Sequence, residues 1–197
     1  MTRIGIFGGT FDPIHYGHLM VAQQVKEELA LDKVLFVPTY LPPHKEYKNI
    51  TAGSYRLEML KLALKGNTSF EVSTVELRRK GVSYTFETLL LLEKENPAAS
   101  FYIIIGSDLL EGLLKWYKIY AIFSKASFVV FQRCCFRIVD IELPAHFKKK
   151  LIFLKNIITT NISSSKIREY ISKGRHIGYL LPFEVKEYIR ENKLYGC

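Results

Sequence analysis

Two glycines in succession, Gly8 and Gly9, with two histidines, His15 and His18, soon after them, constrain this chain more than any other feature. The stretch from Arg3 to Leu19 reads R-I-G-I-F-G-G-T-F-D-P-I-H-Y-G-H-L. Ile4, Ile6 and Phe7 form a short apolar run that the glycines cut off, which predicts a buried parallel strand running straight into a turn. Paired glycines admit φ > 0 and let a bulky ligand come close to the main chain. Pro13 stiffens the loop, and from about Tyr16 an apolar stripe at helical spacing begins, with Leu19, Val21, Ala22, Val25 and Leu29. His15 and His18 therefore sit at the N-terminal end of a helix, where both imidazoles can face one point beyond the strand's carboxyl end. A helix start presents unpaired N–H groups and a partial positive charge, which is where a phosphate binds most readily. Imidazoles beside it hydrogen-bond phosphoryl oxygens without the permanent charge of a lysine. The plainer alternative is a pair of histidines that only caps a helix.

The chain has 197 residues, enough for one sizeable core and too few for two comfortable domains. One domain over residues 1–197 is expected, with a helical C-terminal subregion from about residue 160. A net charge of +9 favours polyanionic partners. Nucleic acid is one such partner and a nucleotide substrate is another, so charge alone does not separate them. The basic residues are scattered, and their one tight run, Lys148 to Lys150, reads as a solvated edge. Gly5, Gly8 and Gly9 interrupt any apolar stretch at the start, so no secretory signal is expected. No run of about eighteen uncharged apolar residues occurs, so neither is a membrane partner. Cys134, Cys135 and Cys197 lack metal-ligand spacing and read as reduced thiols of a cytoplasmic protein.

Downstream, Lys33 to Pro38 reads as a second strand, making a right-handed βαβ unit with the first. Pro42 and Pro43 hold the next segment extended, placing His44 and Lys45 on a stiff loop above the crevice, where Lys45 is either a counter-charge for a triphosphate or a solvated lysine. A helix follows, with Ser54 near its start and Leu57, Leu60, Leu62 and Leu64 buried, and then a strand from Phe70 to Val75. Gly81 ends a basic turn and Ser83 is a candidate cap for the next helix. The N–H groups around Ser83, Tyr84 and Thr85 suit a carboxylate as well as they suit a structural cap. Phe101 to Ile105 is the clearest buried strand and ends in Gly106-Ser107-Asp108, where Asp108 can accept from ribose hydroxyls or order a metal-bound water. Trp116, followed by Tyr117, is either a stacking platform or a core anchor. Ala126 to Phe131 and Leu151 to Leu154 are further strands, the first ending at Gln132-Arg133. Residues 138–150 read as variable surface structure. In I-S-S-S-K-I-R, Ser163 or Ser164 caps a helix on which Ser165 and Arg168 can converge on one phosphate chain, or on which Arg168 is merely solvated. A closing helix after Pro182 and the terminal Leu194-Tyr195 read as packing. Alternating strands and helices predict a doubly wound, mostly parallel α/β sheet with ligand at the strands' carboxyl ends.

The string G-G-T-F-D-P-I-H-Y-G-H resembles the signature of the nucleotidyltransferases related to class I aminoacyl-tRNA synthetases, and more narrowly that of bacterial nicotinate-nucleotide adenylyltransferases. P-P-H-K, G-V-S-Y-T-F-E-T, G-S-D-L-L-E-G-L-L-K-W and I-S-S-S-K-I-R, in this order, are similar to further motifs of that family, so the resemblance spans nearly the whole chain. It implies a Rossmann-like nucleotidyltransferase fold with a small helical C-terminal part, and transfer of an adenylyl group from ATP to nicotinate mononucleotide in NAD biosynthesis. It implies an ATP site made by Gly8, Gly9, Thr10, Phe11, His15, His18, Lys45, Asp108, Ser163, Ser165 and Arg168, with His15, His18, Lys45 and Arg168 catalytic. Ser83, Tyr84, Thr85, Trp116, Tyr117 and Arg133 would receive the mononucleotide, with the indole stacked on the pyridine ring and the turn at Ser83 taking its carboxylate. Mg²⁺ would be held mainly by substrate phosphates, with no dedicated protein site. Where many relatives follow the arginine at position 133 with Pro-Gly, this chain has Cys134-Cys135, which leaves the contact of Arg133 open. A sister adenylyltransferase for nicotinamide mononucleotide or phosphopantetheine, and a nucleic-acid-binding protein without activity, are the competing readings. A homo-oligomer stays open.

Overall fold

In the computed structural model, residues 1–43, 50–133 and 143–196 are described; Lys45, Cys134, Cys135, Cys197 and the first part of the segment 138–150 lie outside them. Six strands form one sheet in which every pairing is parallel: β1 (Thr2–Gly9), β2 (Lys33–Pro38), β3 (Phe70–Val72), β4 (Ala99–Gly106), β5 (Ala126–Phe131) and β6 (Leu151–Leu154). Their order across the sheet is β3-β2-β1-β4-β5-β6. The chain thus winds outward from β1 in one direction and, after β4, in the other, which opens a crevice between the carboxyl ends of β1 and β4.

Both faces are covered, and the alternation of side chains along each strand supplies two cores. Phe7, Val34, Phe36, Ile104 and Val129 point to one face, against α1 (Tyr16–Glu28), α2 (Gly53–Leu64), α7 (Ser164–Ser172) and α8 (Phe183–Glu191). Ile4, Ile6, Leu35, Val37, Ile103, Ile105, Phe128 and Val130 point to the other, against α3 (Val75–Arg79), α4 (Thr85–Glu95) and α5 (Ile119–Lys125). A short α6 (Ala145–Lys148) precedes β6. Ile167, Ile171, Val185 and Ile189 belong to the first core, so the C-terminal helices are built into the sheet's own packing.

Several sequence expectations change here. β1 ends at the glycines as expected, but Gly8 and Gly9 are still strand, in register with Val37 and Pro38, and in the turn that follows it is Phe11 that has positive φ, at 49°. A side chain at Gly9 would meet the Phe11 ring at 3.0 Å, so that glycine makes room for a ring instead of supplying a left-handed turn. The third strand stops at Val72, because Val75 already opens α3, and the basic stretch expected as a turn is helical. Ser54 lies inside α2, whose N-cap is Ala52, and the face of α2 that is buried carries Arg56, Met59, Leu60 and Leu64. Ser83 does not cap α4; Tyr84 holds that position.

Candidate functional site

The turn after β1 places His15 at the N-cap of α1, with extended backbone, and His18 within its first turn. Their rings stack at 3.7 Å between centroids and 24° between planes. Gly17 permits this, since a side chain there would lie 3.0 Å from His15 Nδ1. Behind the pair stands an aromatic wall: the His18 ring meets Phe11 at 5.1 Å and Phe7 at 6.0 Å, both edge-on. Burial pushes the His15 imidazolium down to about 4, helped by the charge of Arg133, and burial, His15 and Arg133 together hold that of His18 well below the usual range. Both rings are neutral at pH 7 and can still donate one N–H each. Nδ1 of each ring is buried without a hydrogen-bond partner among the described residues. Such an atom costs on the order of 1–3 kcal/mol, which a protein tolerates where its chemistry needs the group.

Across the crevice, β4 and β5 end side by side. Arg133 Nη1 donates to Asp108 Oδ2 at 2.8 Å, and its main-chain N–H donates to the buried Ser107 hydroxyl at 3.0 Å. The contact that the sequence left open is therefore an ion pair between two predicted site residues, close enough to the imidazoles to act on their protonation.

The start of α7 docks on the first turn. Ser163 caps the helix, its hydroxyl accepting from Lys166 N–H at 3.2 Å, and Ser164 Oγ donates to Pro13 O at 2.8 Å. Arg168 Nη1 donates to Asp12 O at 2.7 Å, and its other terminal nitrogen lies 3.4 Å from Ser165 Oγ. Ser163, Ser165 and Arg168 thus come to the same loop as His15 and His18 from more than a hundred residues away. Gly8 faces open space, whereas the Phe11 ring is 2 % exposed and packs in the core, which leaves only its main chain to meet a ligand. The main-chain carbonyl of Thr10 is already engaged, accepting from Arg56 Nη1 at 2.8 Å.

A second group lies at the carboxyl end of β2. Ser83 is buried, its hydroxyl accepting from Tyr40 N–H at 3.0 Å and its own N–H donating to Leu41 O at 2.8 Å. These bonds tie the turn before α4 to the segment leaving β2. The Tyr84 ring sits 5.0 Å from that of Tyr117, and Thr85 opens α4, so its N–H has no carbonyl one turn back. Trp116 is half-buried with its edge on Phe128, and so serves partly as a core anchor whatever its other face meets. Arg79 braces this turn from below, bonding Glu87 and the Val82 carbonyl.

Sequence reasoning passed over Asp12, Arg56 and Tyr195. Arg56 is 2 % exposed, and besides Thr10 O it donates through Nε to Thr51 O at 2.7 Å. Asp12, also buried, accepts from Tyr195 Oη at 2.6 Å and from Thr51 N–H at 3.1 Å. A signal for Arg56 was present: it lies three and four residues before Met59 and Leu60, on the apolar stripe of α2, where a charge is out of place unless it is paired. None existed for Tyr195, which makes a polar contact where packing alone was expected.

A parallel sheet in this order, with a polar turn and paired imidazoles at the switch point, defines a nucleotide-binding α/β protein of the nucleotidyltransferase kind. The cytidylyltransferase-like family matches residues 6–170, and the chain belongs to that family. Within it, the chain is similar over its length to nicotinate-nucleotide adenylyltransferases: 41% identical to that of Bacillus subtilis and 43% to the probable one of Bacillus licheniformis, in both cases over 99% of each chain. Among solved structures, the nicotinic acid mononucleotide adenylyltransferase of Plasmodium falciparum complexed with NaAD shares the fold, with a TM-score of 0.78 at 22% identity, covering 99% of this chain and 98% of that one. No helix among the described residues is long and apolar enough to cross a membrane.

Proposed function

We propose that this protein transfers the adenylyl group of ATP to the phosphate of nicotinate mononucleotide, giving nicotinate adenine dinucleotide and pyrophosphate, a step of NAD biosynthesis. The observation that carries this reading is the pair of stacked imidazoles at the N-terminus of α1, on the turn that leaves the carboxyl end of β1 at the switch point of the sheet. It is supported by full-length similarity to proteins named for this reaction.

The phosphate of the mononucleotide is itself the nucleophile, so no protein group has to attack. One of its oxygens bonds to the α-phosphorus of ATP as the bond to the bridging oxygen of the leaving pyrophosphate breaks. What the protein contributes is alignment and relief of the charge that builds on the α-phosphoryl oxygens and on the leaving group. His15 and His18 donate to the α- and β-phosphates. Arg168, with Ser165, balances the triphosphate from the α7 side, and Lys45, outside the described residues, is assigned the same task. Asp108 receives ribose hydroxyls and Arg133 holds that carboxylate in place, adding to burial in disfavouring protonation of the imidazoles. The main chain at Gly8, open on its side-chain face, lets the nucleotide lie against the carboxyl end of β1, while Gly9 leaves room for the Phe11 ring behind it. The N–H groups of Ser83 and Tyr84 are already given to Leu41 O and Val82 O, so those two residues shape the turn and the Thr85 N–H takes the carboxylate of the pyridine ring, beside Tyr117 and Trp116.

The described residues include no group of three or more His, Cys, Asp or Glu placed to hold a metal. Mg²⁺ would arrive on the substrate's phosphates and keep much of its water. Mg²⁺ bound in this way supplies neutralisation of the leaving pyrophosphate.

The test is pyrophosphate release from ATP and Mg²⁺ with nicotinate mononucleotide, compared with nicotinamide mononucleotide. Release is expected with the acid and much less with the amide. Absence of release with either overturns the reading, and preference for the amide overturns the role given to the turn at Ser83 to Thr85.

A further inference from the structure

We propose that Tyr195 is a positioning residue for the transfer reaction, acting through Asp12 to keep the loop before His15 and the start of α7 in register with one another. The inference rests on the reading of both segments as phosphate-binding.

Asp12 is 3 % exposed and is gripped from two directions. Its main-chain carbonyl accepts from Arg168 at 2.7 Å, while its carboxylate accepts from the Tyr195 hydroxyl at 2.6 Å and from Thr51 N–H at 3.1 Å. Arg56 supplies the buried counter-charge and bonds the carbonyls of Thr10 and Thr51, and Ser164 bonds that of Pro13. The loop Thr10 to Pro13 is thus pinned at each of its polar main-chain positions that these partners reach, and Asp12 is the residue at which the C-terminal turn and Arg168 meet. Tyr195 lies in the last turn of the chain at φ 64°, a conformation that bulky residues seldom adopt. Strain of this sort persists where surrounding contacts over-determine it, and the short bond to a buried carboxylate is such a contact. Burial and the neighbouring Asp12 push the phenol's pKa far above its ordinary value, so it remains a donor throughout the working pH range.

Without the hydroxyl, one carboxylate oxygen loses its partner in a dry site, and Asp12 is free to turn toward other donors. His15, three residues on, then shifts relative to Ser165 and Arg168. A small misplacement of groups that align a phosphoryl transfer lowers turnover far more than it weakens binding.

Tyr195→Phe in the full chain keeps the ring's packing and removes only the bond. Its kcat for pyrophosphate release is expected to fall roughly ten- to a hundredfold while KM for ATP stays within about threefold of the wild type. The loss should be non-additive with Asp12→Asn, so that the second substitution adds little to the first. An unchanged kcat, whatever happens to Tm, overturns the inference, as does full additivity of the two substitutions. Should Asp12→Asn not fold, the split between kcat and KM in Tyr195→Phe decides alone. A wild-type chain that releases no pyrophosphate removes the underlying reading, an outcome distinct from an active enzyme indifferent to Tyr195.

Discussion

His15 and His18 meet ring to ring against Phe7 and Phe11, and that apolar backing explains their chemistry. A lysine in the same place would carry its charge into the free protein and pay heavily for burial. A neutral imidazole donates a hydrogen bond to a phosphoryl oxygen and gains strength as negative charge grows there. His18→Ala should accordingly lower kcat by about 10²–10³-fold with a smaller change in nucleotide affinity, read from steady-state pyrophosphate release. Equal loss in kcat and in affinity would assign the ring to ground-state binding. The sequence exposed this pair because its spacing, the glycines and the helix stripe are all local. It did not expose the protonation state, which is set first by burial, for His18 against Phe7 and Phe11, then for His18 by the neighbouring His15, and for both rings by Arg133 from beyond the end of β5.

Among the elements, α2 and α7 do the most to shape the first turn, and neither is adjacent to it in the chain. α2 carries Arg56 into the first core, where it bonds the carbonyls of Thr10 and Thr51 close to buried Asp12. Arg56→Met preserves much of the volume but leaves the buried carbonyls of Thr10 and Thr51 without their donor, so it should destabilise the fold by about 1–3 kcal/mol, measured as a lower denaturant midpoint with an unchanged slope. A change well under 1 kcal/mol would show that the buried guanidinium is dispensable. α7 binds the same loop through Ser164 and Arg168, which places its own phosphate-facing start opposite α1. Helix periodicity located both elements; it could not say that a guanidinium from each would hold the loop before α1. Ser83 shows the same limit, because a serine before a helix reads as a cap until a neighbouring segment, here Tyr40 and Leu41, claims its hydroxyl and N–H.

For the molecule as a whole, the depressed imidazoles predict how stability follows pH. The folded protein keeps His15 neutral down to about 4 and His18 well below its usual range, whereas the unfolded chain protonates both near 6.5. The unfolded state therefore binds more protons between about pH 4.5 and 6.5, and stability should rise with pH across that window. Glu76 opposes this, since burial raises its folded carboxyl above the ordinary range and its contribution falls as pH climbs from 4.5. Two imidazoles against one carboxyl leave a net rise in Tm toward pH 6.5, and replacing both His15 and His18 by Asn should flatten or reverse it. A wild-type Tm that does not rise over this interval would contradict the buried, neutral pair. By itself the sequence determined the alternation of strands and helices, the parallel doubly wound sheet and the polar turns at the strands' carboxyl ends, because each follows from hydrophobic period and turn chemistry within about twenty residues. Only the tertiary structure decided that Asp108 and Arg133 pair, that Phe11 lies in the core, and that Arg56, Arg168 and Tyr195 converge on one loop. Those contacts join residues far apart in the chain, and a buried charge chooses its partner by what the completed fold leaves within reach.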